Sequence, residues 1–138
     1  KGEVAKSMVP GTHGSTYGGN PLATAVGHAV LDVMLEPGFL GEVQKRALYF
    51  KQRLAQLKDE HPSIIEEIRG LGLLTGIKCK VPNTDVMKAA LAQHLLTIPA
   101  GDNVVRLIPP LVVTDADIDE AIAKLEAACK ALEARAAA

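Results

Sequence analysis

Four glycines and three small hydroxyl side chains fall within eleven residues near the start of the chain, in the segment G-T-H-G-S-T-Y-G-G-N-P of residues 11–21. Glycine tolerates positive backbone angles, so this loop can turn tightly and bring its N–H groups close to a ligand. Asn20 before Pro21 predicts a helix cap followed by proline at the first helical position. Hydroxyls and N–H groups that converge at a helix start bind anions, phosphate above all. A plain connecting loop has a similar composition, so both interpretations remain open.

Arg106 is the second residue that could do chemistry, because it is charged and lies within the apolar run V-V-R-L-I of residues 104–108. In a buried or half-buried strand its guanidinium would need an anionic partner, and its planar fork suits a carboxylate. A structural ion pair, or a solvent-facing position on an edge strand, would also explain the residue. Pro109 and Pro110 favour the edge, since proline cannot donate to a strand ladder.

Helical spacing of apolar residues predicts the elements that position these groups. One helix with a broad buried face is expected over residues 21–36, and a long amphipathic helix over residues 40–58 after Pro37 and Gly38. A short helix over residues 83–94 would be capped by Asn83 or Thr84. The last helix follows a capping box, Thr114 to Asp117, with Asp in place of Glu. Residues 1–10 show no strong period and are expected to be irregular or partly extended.

Four short runs rich in branched residues predict strands over residues 64–69, 73–80, 95–99 and 104–108. Gly70 and Gly72 predict a tight turn between the first two, and residues 100–103 a turn between the last two. Gly70, Gly72 and Gly76 lead into a strand and not a helix, which argues against a dinucleotide-binding motif. The expected fold class is α+β, with a small mixed or antiparallel sheet and helices packed on one face.

Composition excludes several classes of partner. Among 138 residues, 15 basic and 16 acidic side chains nearly balance, so neither nucleic acid nor an acidic membrane surface is expected to bind. Cys79 and Cys129 are isolated and predict neither a disulfide framework nor a metal site, which makes a reducing cytoplasm the default location. The histidines are scattered and no metal site is expected; His13 is interpreted as a loop residue that orients its neighbours. Because the chain starts with Lys1 and lacks an initiator Met, we expect a fragment or a processed product of a longer protein.

Three motifs, in order, resemble a known family. The loop, extended to G-T-H-G-S-T-Y-G-G-N-P-L, resembles that of the class III aminotransferases, which are fold-type-I pyridoxal-phosphate enzymes, and most closely their acetylornithine and ornithine branch. The run R-G-L-G-L-L-T-G-I of residues 69–77 is similar to the family's R-G-x-G-L-x-x-G motif. The run V-R-L-I-P-P-L-V-V of residues 105–113 resembles the family's substrate-binding arginine strand.

The resemblance implies a division of the chain and a role for each candidate residue. Residues 21–138 would form the small C-terminal domain, and residues 1–20 the cofactor-phosphate loop with its lead-in from the large domain. Ser15 and Thr16 would bind the phosphate of pyridoxal 5'-phosphate held by the other subunit of a homodimer. Arg106 would bind the α-carboxylate of the amino-acid or 2-oxoacid substrate.

The implied activity is transfer of an amino group from N-acetylornithine to 2-oxoglutarate, in arginine biosynthesis. Ornithine, succinylornithine, succinyldiaminopimelate and 4-aminobutyrate are alternative donors. The family's Schiff-base lysine lies upstream of the loop in a glycine-rich run that Lys1 does not match, so no catalytic residue is assigned and this polypeptide alone is predicted to be inactive. Two interpretations from other classes remain: a separate phosphate-binding module, and a non-catalytic dimerisation domain that uses the apolar helix of residues 21–35.

Overall fold

The computed structural model describes residues 2–12 and 14–136. The chain forms two compact units, residues 1–40 and residues 41–138. Helices α1 (Gly2–Ala5) and α2 (Pro21–Met34) belong to the first unit, and α3 (Phe39–Glu60) runs from its last residues into the second. The short helix α1 lies where an irregular lead-in was expected. The domain boundary expected after residue 20 stays a prediction.

Helix α2 begins as its sequence predicts. Asn20 accepts a hydrogen bond from the Ala23 N–H at 3.1 Å through Oδ1, and Pro21 occupies the first helical position. The helix ends at Met34, two residues earlier than expected, with Leu35 as its C-cap. The expected buried face is absent, because no residue of α2 is buried against the part of the chain that the structure describes. The apolar side chains that stay exposed include Leu22, Val26, Val30, Leu31 and Val33.

The second unit is built on a four-stranded antiparallel sheet. Its strands are β1 (Ile65–Leu71), β2 (Leu74–Cys79), β3 (Ile98–Ala100) and β4 (Val104–Leu107), in the order β1-β2-β4-β3. Strand β4 therefore lies inside the sheet, and the edge position predicted for Arg106 is wrong. Pro109 and Pro110 come after the end of β4. They therefore do not prevent β3 from pairing with β4.

Three helices cover one face of this sheet: α3, α4 (Asn83–Ala92) and α5 (Asp115–Ala136). Burial alternates along β2 and β4, as expected for strands with one face in a core. Each fully buried Leu, Ile, Val or Phe side chain stabilises the fold by about 1.5–3 kcal/mol relative to the same side chain exposed to water. The α+β expectation is confirmed. The core contains Thr75, Ile77, Cys79, Val105 and Leu107 from the strands, and Phe50, Leu54, Leu57, Val86, Ala90, Ile118, Ile122, Leu125, Ala128, Cys129 and Leu132 from the helices. No helix in the described parts of the chain has both the length and the apolar character needed to cross a membrane.

The capping prediction is confirmed for α5 and wrong for α4. Thr114 Oγ1 accepts from the Asp117 N–H at 3.2 Å, and Asp117 Oδ2 accepts from the Thr114 N–H at 2.9 Å. Helix α4 instead begins at Asn83 after Pro82, without a side-chain cap. Its Asn83 amide is occupied elsewhere, since Nδ2 donates to two carbonyl oxygens of the β3–β4 hairpin at 3.0 and 2.9 Å.

Asn103 completes this polar junction between the sheet and α4. Its φ of 55° places it in the left-handed region, which Asn tolerates better than most residues. Its Nδ2 donates to Cys79 O at 2.6 Å and Val81 O at 2.9 Å, and its Oδ1 accepts from the Asn83 N–H at 2.8 Å. The β3–β4 turn is thereby fixed to the end of β2, which sets the position of β4 and of Arg106.

Candidate anion-binding sites

The loop between Gly11 and α2 is held by its own hydrogen bonds. Ser15 Oγ accepts from the Gly18 N–H at 2.9 Å, and the Asn20 N–H donates to Tyr17 O at 3.1 Å. Gly19, with φ of 72°, then leads the chain into the Asn20 cap. Ser15 uses only an oxygen lone pair in this turn, so its hydroxyl proton is still able to bind an acceptor. His13 lies outside the described residues.

Thr16 lies next to Ser15 at the exposed tip of the loop. Its hydroxyl makes no hydrogen bond with the residues that the structure describes, in contrast to Thr12, whose Oγ1 donates to Val9 O at 2.7 Å. The hydroxyls of Ser15 and Thr16 and the start of α2 together offer donors and the positive end of a helix dipole. The donor set fits a phosphate group, whose oxygens form charge-assisted bonds with such donors.

Arg106 projects from the solvent-facing side of β4. It is exposed, while its neighbours Val105 and Leu107 are buried, so the burial expected from the apolar run is not found. Its cross-strand partners are Gly76 on β2 and Ile98 on β3, neither of which can pair with a guanidinium. No ion pair involves Arg106 within residues 2–12 and 14–136, and the alternative of a structural salt bridge therefore finds no support there.

The register places a second arginine in the same row. Arg69 on β1 is opposite Gly76, which is opposite Arg106, so a glycine separates the two arginines across the sheet. Arg69 is already engaged, with Nε 2.7 Å from Glu67 Oε2 and Nη1 2.5 Å from Asp102 Oδ2. The hydrogen bonds to Asp102 and Glu67 raise the pKa of the Arg69 guanidinium further above its usual range. Arg106 is thus the arginine of this row that has no carboxylate among the described side chains.

Gly76 keeps the space beside Arg106 open. A Cβ atom added at this position would come within 2.8 Å of Val104 Cγ1, so a side chain would crowd this part of the sheet. The resulting shallow concavity has a volume of about 260 Å³, with Arg106 on one side and the ion-paired Arg69 on the other. It can receive a small carboxylate. The residues that line it are Arg69, Gly70, Leu74, Thr75, Gly76, Ala100, Val104 and Arg106.

Two residues of this site were missed by sequence reasoning. Gly76 was considered only as part of a glycine motif, although a glycine inside a strand signals a close approach by another group. Asp102 was considered only as a turn residue, yet it binds both Arg69 and Lys78, at 2.5 and 2.9 Å. The Lys78 ammonium, followed by Arg69, holds the pKa of Asp102 below its usual range. Nothing in the sequence indicates this contact, because it depends on the β2–β4 register.

Comparison with known proteins identifies the family of the chain. The sequence model of the family described as aminotransferase class-III matches residues 1–129. This chain belongs to the class-III aminotransferases. The resemblance inferred from the three motifs is thereby confirmed at the level of the family.

Named relatives narrow the branch of class-III aminotransferases that this chain resembles. It is 58% identical to the acetylornithine aminotransferase of Mesorhizobium japonicum over 94% of its own length, and 56% identical to that of Agrobacterium fabrum over 96%. In both cases the match covers 33% of the relative, so the chain spans about a third of their length.

Solved structures give the same result for the fold. The N-acetylornithine aminotransferase of Stenotrophomonas maltophilia matches with a TM-score of 0.77 at 30% identity, over 85% of this chain and 33% of that one. An ornithine aminotransferase of Plasmodium falciparum matches with a TM-score of 0.77 at 32% identity, over 96% of this chain and 35% of that one. The fold is therefore that of a portion of these aminotransferases.

In this class-III aminotransferase chain, the candidate residues are divided between the two units. Ser15 and Thr16 lie together in the first unit, and Arg106 lies in the second. The phosphate role of the loop and the carboxylate role of Arg106 stay predictions, supported by donor chemistry within each unit.

Proposed function

We propose that this chain supplies the cofactor-phosphate loop and the substrate-carboxylate site of an acetylornithine aminotransferase that uses pyridoxal 5'-phosphate. The donor would be N-acetylornithine and the acceptor 2-oxoglutarate, in arginine biosynthesis. The names and identities of the relatives, 58% and 56% over almost the whole chain, support this substrate over ornithine, succinylornithine or 4-aminobutyrate. The structural observation that carries the proposal is Arg106, exposed on an interior strand beside Gly76 with no carboxylate partner among the described residues.

The phosphate loop acts by holding one end of the cofactor. Thr16 and Ser15 donate their hydroxyl protons to phosphate oxygens, and the start of α2 adds the favourable helix dipole. When bound, pyridoxal phosphate supplies the electron sink and amino-group carrier that transamination needs. Following the family resemblance, the phosphate belongs to a cofactor bound by the other subunit of a homodimer.

Arg106 acts by binding and orienting the substrate. Its guanidinium offers two parallel N–H donors to a carboxylate, which fixes both position and rotation of an amino acid or 2-oxoacid. Gly76 leaves the room that the carboxylate needs, and the neighbouring Arg69 does not compete for it, because its guanidinium is already bonded to Glu67 and Asp102.

The test is steady-state kinetics of the assembled enzyme that contains this chain. Loss of a charged hydrogen-bond pair of about 1.5–3 kcal/mol predicts that Arg106→Gln raises KM for 2-oxoglutarate by about 10- to 150-fold. Arg106→Lys should raise KM less than Arg106→Gln but still above the wild-type value, because an ammonium cannot bind the carboxylate with two parallel bonds. Arg135→Gln, an exposed arginine on α5, is the matched control and should leave KM unchanged. Equal KM values for wild type and Arg106→Gln would refute the role.

A second pair of variants tests the phosphate loop. Thr16→Val removes a hydroxyl that has no partner within the described loop, so it should weaken cofactor binding about tenfold, the loss expected for one charge-assisted bond. Thr12→Val is the control, since that hydroxyl is committed to Val9 O at 2.7 Å. Cofactor affinity is read from the dissociation of pyridoxal phosphate on dialysis. If both variants lose cofactor equally, the effect is on loop structure and the assignment to Thr16 fails.

The polypeptide alone is expected not to transaminate, because no lysine in it is assigned to the cofactor. Mixing it with pyridoxal phosphate, N-acetylornithine and 2-oxoglutarate should yield no glutamate, and glutamate formation would overturn that expectation. Its expected location is the cytoplasm, which is consistent with two buried free thiols, Cys79 and Cys129.

The exposed apolar side of α2 favours a second function, association with another chain. Exposed apolar patches of this kind commonly mark interaction surfaces. Sedimentation of Val26→Asp against the matched polar change Thr24→Asp tests it. Self-association should fall only for Val26→Asp, and an unchanged mass distribution would exclude α2 as the contact.

A further inference from the structure

His61, directly after α3, is a buried histidine with one ring nitrogen left without a partner. The residue is 4% exposed. Its Nδ1 lies 3.0 Å from Glu133 Oε2 on α5, while its Nε2 is buried and has no hydrogen-bond partner among the described residues. A buried polar atom without a partner costs free energy, and native proteins contain few of them. The position of Nε2 therefore points to a ligand.

Two further carboxylates, those of Glu60 and Glu126, lie close to the His61 ring. A ring nitrogen of His61, an oxygen of Glu60 and an oxygen of Glu126 all lie within 4.8 Å of one another. Since Nδ1 is occupied by Glu133, Nε2 is the nitrogen that remains for coordination. Glu60 is exposed and Glu126 is half-buried, so their carboxylates are less confined than the buried His61 ring.

We propose that His61, Glu60 and Glu126 form a binding site for a divalent transition-metal ion of the Zn²⁺ type. One imidazole nitrogen and two carboxylate oxygens are ligands that Zn²⁺ accepts, at about 2.0–2.2 Å, with water in the fourth position. Ligand atoms on one tetrahedral ion are roughly 3.3–3.5 Å apart, so the two glutamates close in by rotating about their side-chain bonds.

Glu133 acts as the positioning residue of this site. Glu133 accepts a hydrogen bond from the Nδ1–H and so holds the His61 ring in the tautomer whose Nε2 carries a free lone pair. Most metal-bound histidines donate their other ring N–H in this way. Glu133 is itself fixed by the Ser63 hydroxyl, which donates to Oε1 at 2.5 Å. That bond fixes the carboxylate whose other oxygen, Oε2, lies 3.0 Å from His61 Nδ1.

Other charged and polar groups face the site and must be accommodated. Lys130 donates a hydrogen bond to Glu126. The Lys130 side chain is 64% exposed and can turn into water at little cost when a metal replaces it. Gln56 Nε2 donates to Glu60 Oε1 at 2.9 Å, which leaves the other oxygen available. Arg53, whose charge also acts on Glu126, is directed to Asp119, with Nε 3.1 Å from Oδ1.

A metal at this position would join two helices that are far apart in sequence. Glu60 is the last residue of α3 and His61 follows it directly, while Glu126 and Glu133 lie on α5. An ion that binds the folded chain and not the unfolded one raises stability by mass action. Zn²⁺ should therefore raise the melting temperature of the chain.

The experiment is calorimetric titration of the metal-free 138-residue chain with Zn²⁺ alone, buffered at about pH 7 because protons compete with a metal for its ligands. We expect one equivalent of Zn²⁺ to bind and the melting temperature to rise, and Mg²⁺ at the same concentration to do neither. Glu126→Gln and Glu133→Gln should each weaken Zn²⁺ binding, by about 10- to 100-fold for the positioning residue and at least as much for the ligand. Both glutamates are accessible to solvent, so these variants should fold.

Two controls separate this site from adventitious binding. Glu120 lies on the same helix as Glu126 and also pairs with a lysine, with its carboxylate 2.5 Å from Lys124. Glu120→Gln should leave Zn²⁺ affinity unchanged. A variant in which Gln replaces His13, His28 and His94 together should still bind one equivalent of Zn²⁺, at His61. The proposal is overturned if the wild type binds no Zn²⁺, if Glu126→Gln binds as well as Glu120→Gln, or if binding disappears with the other three histidines.

Discussion

Replacing Gly70 with alanine should be among the most damaging single changes in the second unit. Gly70 lies on β1 opposite Thr75 on β2, with φ of 126°, in the region of backbone angles that favours glycine. A Cβ added there would lie 2.1 Å from Leu74 O and 2.9 Å from Thr75 Cα. These are backbone atoms of the paired strand, so they cannot move aside as a flexible side chain could.

The cost of Gly70→Ala follows from two contributions. The backbone strain of alanine at a positive φ is about 1–2 kcal/mol. To relieve the contact with Leu74 O, the strands must separate by more than an ångström, which disrupts two or three ladder hydrogen bonds of about 0.5–1.5 kcal/mol each. The sum is roughly 2–6.5 kcal/mol. Because the free energy of unfolding of a small domain is about 5–15 kcal/mol, this cost is a large part of the total stability.

Gly72 and Gly41 provide matched controls for this calculation. Gly72, in the same hairpin, has φ of 60° but nothing within 4 Å of an added Cβ, so Gly72→Ala should cost only the strain, about 1 kcal/mol. Gly41, in the first turn of α3, has neither positive φ nor a close atom, and Gly41→Ala should stabilise by up to about 1 kcal/mol.

The assay is urea unfolding of the three variants, monitored by circular dichroism. With a slope of about 1–3 kcal/mol per molar urea, Gly70→Ala should lower the midpoint by about 2 M, while Gly72→Ala shifts it by well under 1 M. If Gly70→Ala and Gly72→Ala lose the same free energy within about 0.5 kcal/mol, steric contact with β2 is not what requires glycine at position 70.

Two further predictions concern protonation. The Thr114 hydroxyl, and then its backbone N–H, holds the pKa of Asp117 below its usual value of 3.8, so the stability from this capping box is complete above that value and lost as pH falls through the lower folded pKa. Thr114→Ala should therefore cost about 1 kcal/mol in urea unfolding at neutral pH and less near pH 3, and an equal cost at both would contradict the ionised box. Burial raises the pKa of the Cys79 thiol to about 11 and that of Cys129 to about 12, so at pH 8 less than about one thiol in a thousand is ionised. Mass spectrometry should show neither thiol alkylated by iodoacetamide in the native chain and both alkylated in urea; rapid native labelling would refute the burial.

Local signals in the sequence predicted most of this fold because they act over a few residues. The Asn20 cap, the Thr114 capping box and the helical spacing of α3 and α5 depend only on neighbours in the chain, and the structure contains all of them. The strands were found for the same reason, although β3 was placed three residues too early. Strand order was not predictable from these signals, since it depends on which strands pair, and the edge position inferred for Arg106 failed for that reason.

Polar side chains with long-range partners were the least predictable. Asn83 is a good capping residue by type, but the carbonyls of the β3–β4 hairpin compete for its amide, and they lie about 20 residues away in sequence. His61 was counted as an isolated histidine because Glu126 and Glu133 reach it only through the packing of α3 against the same core as α5. Sequence spacing detects metal ligands on one helix or one loop and has no means to detect this arrangement.

The contrast between Arg69 and Arg106 shows how the sheet separates a structural arginine from one that is available for an external anion. Both lie in one cross-strand row with Gly76 between them. Arg69 binds Glu67, two residues away on its own strand, and Asp102 in the β3–β4 turn, so its charge is neutralised whether or not a ligand is present. A carboxylate at position 76 or 98 would have done the same for Arg106, since directly opposite charges pair across antiparallel strands. Glycine and isoleucine occupy those positions, and neither can neutralise a guanidinium. An anion bound there gains a full charge-assisted pair without first displacing one, and that difference makes Arg106, and not Arg69, the residue whose replacement should change substrate binding.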